Sequence, residues 1–169
     1  MSSSSEIKGK TVSASRVILS QLMHPEHANL LGNVHGGWIM KLADEAGALA
    51  CMRHSQERVV TVAVDQLTFN HPIRIGDLVT LTAEVSHTGR TSMEAEVRVT
   101  AGNPMSGQVT HTNTAYLVYV ALDEQARPVP VPPIIPETNR EKRRLEHAKD
   151  RQKYRLEHAA KVAQELVES

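Results

Sequence analysis

The sequence is poor in cysteine and aromatic residues and has no excess of either charge. Cys51 is its one cysteine, so an intrachain disulfide and a zinc site built from cysteines are both excluded. One Phe, one Trp and three Tyr are too few for a surface that stacks unpaired bases. Lys plus Arg and Asp plus Glu both number 19, so the chain lacks a generally basic coat. These absences argue against a nucleic-acid partner.

Long hydrophobic runs are also lacking. No apolar run approaches the roughly 18 residues that span a bilayer. The opening MSSSSEIKGK lacks the apolar centre of a secretory signal. Nine histidines occur without an H-x-x-x-H or H-E-x-x-H pattern, so no metal site is predicted. We therefore expect a cytoplasmic protein with neither a membrane span nor a bound metal.

Composition divides the 169 residues into four parts. Residues 1–12 are rich in serine and lysine and are expected to form a disordered lead. Residues 13–127 form one domain of ordinary size. Residues 128–137 contain PVPVPPIIP and predict an extended linker. Residues 138–169 are charged and predict a helix that begins with a capping box formed by Thr138 and Glu141.

The hydrophobic pattern within residues 13–127 predicts the element order β-α-β-β-β-β. A short strand falls within residues 13–22, and a helix is predicted over residues 38–54. At about 100° per residue, the apolar stripe of this helix consists of Ile39, Leu42, Ala43, Ala46, Leu49 and Ala50. Three later runs alternate apolar and polar residues, and a fourth, over residues 108–122, is long and more apolar at its end, which suggests burial on both faces. Short turns separate the four runs. The order predicts an α+β fold in which an antiparallel sheet wraps around one long helix.

The helix carries one carboxylate in an unusual position. Asp44 lies on a flank beside Met40, Gly47 and Cys51 rather than on the solvent side with Glu45. A carboxylate there could serve as a general base for water or as a nucleophile. The alternative is a polar residue that is satisfied at an interface and has no chemical role.

Two glycines precede this helix. Gly36 and Gly37 allow a close approach to the backbone, and a helix N-terminus offers unpaired N–H groups with a partial positive charge. Such groups can stabilise a carbonyl oxygen as negative charge develops on it. The alternative is an ordinary tight turn into the helix.

Four blocks of sequence, in order, resemble a known family. They are NLLGNVHGGWIMKLADEAGA with the following CMRH, then DQLTFNHPIRIGDLV, HTGRTSMEAEV and PETNREKRR. Together they are similar to the hotdog-fold acyl-CoA thioesterases, in the branch of cytosolic, brain-type acyl-CoA hydrolases. The resemblance covers roughly residues 15–144.

The resemblance implies an active site shared between two subunits. Hotdog domains pair so that their sheets become continuous and their helices lie side by side, and in this branch the dimers assemble into a homohexamer. The catalytic pair of the branch, an asparagine in the loop and an acid on the helix, falls here on Asn29 and Asp44 of different subunits. Backbone N–H groups near Gly36 and Gly37 would stabilise the oxyanion.

The resemblance also implies contacts with the substrate outside the catalytic pair. The positions are Asn33, His35, Gly89, Arg90, Thr91, Ser92, Arg143 and Arg144. Asn33 and His35 either contact the substrate or fix their loop by hydrogen bonds. The segment 89–92 either touches coenzyme A, with Arg90 on a phosphate, or is an ordinary hairpin turn. The last two arginines are weaker candidates for the nucleotide phosphates.

The implied reaction is hydrolysis of fatty acyl-CoA to a free fatty acid and coenzyme A by water that a carboxylate activates. Coenzyme A would enter as part of the substrate, and no separate cofactor is expected. Two alternatives stay open. One is a hotdog hydratase or dehydratase that acts on enoyl thioesters and recruits His35, and the other is a sensor that binds acyl-CoA without cleaving it.

Overall fold

One long helix lies against the inner face of a five-stranded antiparallel sheet in the computed structural model, which describes residues 7–168. In chain order the elements are β1 (Lys10–Thr11), α1 (Val12–Ser15), β2 (Val17–Leu22), a 3₁₀ turn (Pro25–His27), α2 (Gly36–Ser55), β3 (Arg58–Phe69), β4 (Leu78–Thr88), β5 (Ser92–Gly102), β6 (Val109–Leu122), β7 (Ile134–Ile135) and α3 (Asn139–Glu168). The predicted order β-α-β-β-β-β is confirmed by β2, α2 and β3 to β6.

The strand order β2-β4-β5-β6-β3 places β3 at one edge of the sheet. In β4 and β5 the apolar side chains at alternate positions are buried against α2, because successive residues of a strand point to opposite faces. The predicted apolar stripe of α2 meets them. Leu49 is the exception, since its side chain lies at the margin of the stripe and is 40% exposed.

The start of the domain differs from the prediction. β2 begins at Val17 rather than at residue 13, because Val12–Ser15 form the helical turn α1. The Ser15 hydroxyl donates to the Val12 carbonyl at 2.7 Å and accepts from the Val85 N–H at 2.9 Å, a local bonding pattern that competes with strand pairing. Part of the predicted disordered lead is also ordered, since β1 pairs in parallel with β7. Residues 1–6 of that lead lie outside the described residues.

Residues 128–137 are extended, as predicted, but they pack on the domain and do not form a free linker. Val131 is buried, and its N–H donates to the Arg90 carbonyl at 3.0 Å. The buried ring of His54 donates through Nε2 to the Pro132 carbonyl at 2.7 Å. Burial lowers the pKa of His54, which favours the neutral ring. The proline-rich segment is therefore a strap that completes one side of the core.

Helix α3 crosses the outer face of the sheet and is held there by arginines. Arg144 donates to Glu84 at 2.7 Å and to Glu96 at 2.9 Å, and both carboxylates are buried. Arg151 donates to the buried Glu94 at 2.7 Å. These glutamates alternate along β4 and β5 with residues that face α2, so they point away from it. Ion pairs therefore anchor the charged helix.

Replacing Arg144 by methionine should destabilise the fold by about 3–5 kcal/mol, because two buried carboxylates lose a hydrogen-bonded counter-charge and only Glu84 keeps another, from Arg16. Chemical denaturation at neutral pH measures this loss. The matched control is Arg143→Met on the exposed side of α3, which should leave the free energy of unfolding almost unchanged. Equal stability of the Arg144→Met protein and the wild type would show that the pairs do not anchor α3.

The ion pairs of Glu84 should also make the free energy of unfolding depend on pH in the acidic range. Burial opposes the ionisation of Glu84, but the hydrogen bonds and charges of Arg144 and Arg16 outweigh it and lower the pKa of Glu84. A lowered folded-state pKa contributes stability that is complete above the ordinary glutamate value of about 4.3 and is lost as the pH falls through the lowered value. The stability gap between wild type and Arg144→Met should therefore narrow in that acidic range.

Candidate active site

The loop of residues 28–35 is organised around the side chain of Asn29. Its Oδ1 accepts from the N–H groups of Leu31 at 2.9 Å and Asn33 at 3.2 Å. The Asn29 N–H donates to the Asn33 carbonyl at 2.7 Å. Such bonds are how an asparagine side chain stabilises a turn. The carboxamide oxygen is used within the loop, and the NH₂ group is left without an acceptor among the described residues.

The start of α2 is capped by His35. Its Nδ1 accepts from the Gly37 N–H at 2.9 Å, which is the loop-fixing contact of the two alternatives for this histidine. This hydrogen bond uses the Gly37 N–H, which is one of the two N–H groups expected to face an oxyanion. The Gly36 N–H has no acceptor among the described residues, so it is the donor that the helix start offers to a ligand.

Asp44 is half-buried, and the neighbouring strands hold its carboxylate. Thr61 of β3 donates to Oδ1 at 2.7 Å. Tyr119 of β6 donates to the same oxygen at 3.2 Å and to the Asp44 carbonyl at 2.9 Å. Thr61 and Tyr119 are paired across the two strands, so both hydroxyls come from one row of the inner sheet face. Within the part of the chain that the structure describes, Oδ2 of Asp44 has no donor.

Asp44 lies at the wall of a cavity of about 360 Å³ between α2 and the sheet. Most of the remaining lining is apolar and comprises Met40, Ala43, Val64, Leu67, Ala115 and Leu117. A carboxylate with one free oxygen beside such a pocket can act on a polar group attached to a hydrocarbon chain.

Asn29 lies on a second cavity, of about 290 Å³, together with Asn33, Gly36 and Phe69. The Phe69 ring stands so close to Gly36 that a Cβ there would lie 3.2 Å from its Cζ. Gly37 lines the Asp44 cavity instead. One chain therefore does not bring Asn29 and Asp44 into the same cavity, although the adjacent residues Gly36 and Gly37 at the start of α2 line one cavity each.

Residues 89–92 form the turn between β4 and β5. The Gly89 N–H donates to the Ser92 carbonyl at 2.8 Å, and the Thr91 carbonyl accepts from the Ala121 N–H at 3.0 Å. The exposed Arg90 side chain has no ion-pair partner among the described residues. Met93 follows this turn directly and is paired with Tyr119, which is in turn paired with Thr61. The turn therefore lies next to the row of residues that holds the Asp44 carboxylate.

The two arginines expected to meet nucleotide phosphates differ in their surroundings. Arg143 is exposed on α3. Arg144 pairs with Glu84 and Glu96, and the three side chains are largely buried, so these contacts give no support to a phosphate contact by Arg144. A guanidinium neutralised in this way offers no net charge to a phosphate.

Within residues 7–168, no group of three or more His, Cys, Asp or Glu side chains is arranged to hold a metal ion. None of the helices in that range is both long enough and apolar enough to cross a bilayer.

Comparison with known proteins places this arrangement in a family. The sequence profile of the thioesterase superfamily matches residues 31–108, which include Asp44 and Thr61. A solved hexameric acyl-CoA thioesterase superposes with a TM-score of 0.87 at 40% identity, over 91% of this chain and 99% of its own. The chain belongs to the thioesterase superfamily. The hotdog fold expected from the resemblance is confirmed.

Two further relatives of this thioesterase-family chain are informative. An acyl-CoA hydrolase of Staphylococcus aureus, solved with butyryl-coenzyme A, coenzyme A and coenzyme A disulfide, has a TM-score of 0.86 at 30% identity over 93% of this chain and 96% of its own. Its structures include alanine variants of an aspartate, an asparagine and a threonine. The cytosolic acyl coenzyme A thioester hydrolase of Rattus norvegicus is 38% identical over 83% of this chain, which spans 38% of the rat protein.

Sequence analysis missed the partners of Asp44 in this thioesterase fold. Thr61 and Tyr119 occur in strand runs where threonine and tyrosine are common, so their residue types alone mark nothing. The pattern even argues against Thr61, because the alternation of Val60, Val62 and Val64 puts Thr61 on the other face of the strand from these valines. In the structure two irregularities in the pairing of β3 with β6 shift this alternation, and Thr61, Val64 and Leu67 line the Asp44 cavity. The packing of Gly47 against Tyr119 had no signal in the sequence.

Proposed function

We propose that the protein hydrolyses acyl-CoA thioesters to a free carboxylic acid and coenzyme A. The observation that carries the proposal is the Asp44 carboxylate, held by Oδ1 beside an apolar cavity, while no residue within 7–168 donates to Oδ2. The cavity suits a hydrocarbon chain, and the Gly36 N–H suits a thioester oxygen. The names of related hydrolases and the coenzyme A bound to one of them support the same substrate class, with fatty acyl-CoA as the specific proposal.

In the proposed reaction, Asp44 Oδ2 takes a proton from water as the water oxygen attacks the thioester carbonyl carbon. The oxyanion accepts from the Gly36 N–H, and a lost donor of this kind typically costs about 3–4 kcal/mol. The carbon–sulfur bond then breaks, and coenzyme A leaves as a thiol with the proton that Asp44 had taken. The Asn29 NH₂ group of a second protomer orients the water or the carbonyl. The reaction needs no cofactor beyond the coenzyme A of the substrate.

The two alternatives find less support in these contacts. A hydratase or dehydratase needs a histidine that works with a carboxylate, whereas His35 uses Nδ1 to cap α2. A sensor has no need of a carboxylate that is anchored by one oxygen and open at the other. Hydrolysis uses both features of Asp44.

We infer that the protein self-associates through β3, and that its dimers form a hexamer. Val60, Val62 and Val64 on this edge strand are between 44% and 55% exposed, and an unpaired edge is a template for another strand. A second β3 would continue the sheet and supply Asn29 to the Asp44 site. The hexameric state of a related thioesterase and the cytosolic name of the rat relative support the assembly and a cytoplasmic location.

The test of the proposed function is hydrolysis of short, medium and long acyl-CoA substrates, with the released thiol measured against the released acid. The expected result is one thiol and one acid for each thioester consumed. Enoyl-CoA is included, and its double-bond absorbance is followed separately. Loss of that absorbance without thiol release would favour a hydratase, and tight acyl-CoA binding without any product would favour a sensor.

A further inference from the structure

Tyr119 places a hydroxyl inside the protein at the back of Asp44. Its side chain is fully buried on the inner face of β6, and the hydroxyl donates to the Asp44 carbonyl at 2.9 Å and to Oδ1 at 3.2 Å. Burial, followed by the negative charge of Asp44, raises the pKa of Tyr119. The phenol therefore keeps its proton and remains a donor. A buried tyrosine usually finds a hydrogen-bond partner, and here the partner is the carboxylate at the cavity.

Gly47 makes the space for that hydroxyl. It lies one turn after Asp44 in the middle of α2, where glycine is unfavourable compared with alanine. A Cβ at this position would lie 2.5 Å from the Tyr119 hydroxyl and 3.1 Å from two ring carbons. Any other residue would push the phenol away from the helix. The unfavourable glycine therefore has a specific structural reason, which is contact between the phenol and Asp44.

Both donors to the carboxylate use the same oxygen. Thr61 and Tyr119 approach Oδ1, and no described residue donates to Oδ2. A carboxylate that is held at one oxygen cannot rotate freely to exchange the two. We propose that Tyr119 and Gly47 form a positioning pair that locks Asp44 so that Oδ2 alone faces the substrate. This inference rests on the proposed role of Asp44 in hydrolysis and adds two residues to it.

The first test is Tyr119→Phe, which removes the hydroxyl and keeps the ring. We expect kcat to fall about 10- to 100-fold, the effect of losing a hydrogen bond to a charged group, while KM changes little. Circular dichroism and oligomeric state should match the wild type. Tyr154→Phe on the exposed face of α3 is the matched control and should keep the wild-type kcat. A Tyr119→Phe enzyme with wild-type kcat would overturn the proposal.

The second test asks whether Gly47 acts through the hydroxyl. Gly47→Ala should lower kcat to the level of Tyr119→Phe and also lower Tm. In the double variant the 2.5 Å contact disappears with the hydroxyl, so Tm should recover in part while kcat stays at the Tyr119→Phe level. Losses of kcat that multiply in the double variant would show two independent effects and contradict the pair.

Asp44→Asn separates this inference from the proposed function. If Asp44→Asn is inactive and Tyr119→Phe is fully active, the positioning pair fails and the hydrolase proposal stands. If Asp44→Asn keeps the wild-type kcat, the proposed role of Asp44 fails and the positioning pair fails with it, whereas a wild-type protein that releases no thiol would overturn the proposed function itself. A fall in kcat for both variants, with the larger fall for Asp44→Asn, is the result that supports both proposals.

Discussion

Asp44→Asn is expected to lower kcat for acyl-CoA hydrolysis by about 10²- to 10⁴-fold, the usual contribution of a general base. Asparagine has nearly the same shape and can still accept at Oδ1 from Thr61 and Tyr119. It cannot take a proton from water as a carboxylate does. The fold and the affinity for a substrate analogue should therefore remain, so that calorimetric binding is retained while thiol release is lost.

The neighbouring acid on α2 provides the matched control. Glu45 is exposed and does not line the cavity, although its ion-pair partner Lys41 does. Glu45→Gln therefore changes the helix charge equally and leaves the Asp44 carboxylate and its two donors in place. Its kcat should stay close to that of the wild type. If both substitutions lowered kcat equally, the effect would come from the charge of the helix and not from a proton acceptor at the cavity.

The features that sequence analysis predicted well are those that repeat locally. The helical period of α2 predicted its buried stripe, and it set Asp44 apart on a flank whose surroundings the structure shows to be a cavity wall. Alternation at a period of two predicted β4 and β5 with the face that meets α2, and it predicted the existence of β3, whose irregular pairing shifts its alternation. The long apolar end of the last run predicted β6, which is largely buried there on both faces. The predicted helix start was two residues late, because Gly36 and Gly37 are the first two residues of α2 and do not form a turn ahead of it.

The features that were missed depend on contacts between distant parts of the chain. Nothing near Arg144 in sequence reveals that Glu84 and Glu96 neutralise it, so an arginine in a family motif was assigned to a phosphate. Likewise, Thr61 and Tyr119 both reach Asp44 only because β3 and β6 are paired in one particular register. The strand register and the packing of α3 depend on the whole fold, so the residues near each position in the sequence do not reveal them.

Asn29 and Asp44 line separate cavities in the fold of one chain. Each cavity holds part of the machinery for hydrolysis. The Asp44 side has the base and the apolar pocket, and the Asn29 side has the free NH₂ group and the Gly36 N–H. A second protomer docked through β3 would bring one half from each chain together, and this arrangement can be tested without a structure of the dimer.

Two inactive variants should restore each other when mixed. Asn29→Ala alone is expected to lower kcat strongly without unfolding the protein, and Asp44→Asn is expected to do the same. After subunit exchange between equal amounts of the two, half of the dimers carry one chain of each kind. In such a dimer one site has both substitutions, whereas the other combines the native Asn29 of one chain with the native Asp44 of its partner. Activity should then rise to about a quarter of the wild type per site, from the counting of sites in a two-fold dimer.

Recovery of activity requires that the Asn29 and Asp44 of one active site lie on different chains. Native mass spectrometry of chains with distinct masses checks that exchange is complete, and mixing each variant with itself gives the baseline. A mixture of Asp44→Asn with Glu45→Gln checks whether subunit exchange by itself raises activity, since Glu45 does not line the cavity. Complete exchange without recovery would place Asn29 and Asp44 of the same chain in one site, and the start of α2 would then have to move to join their cavities.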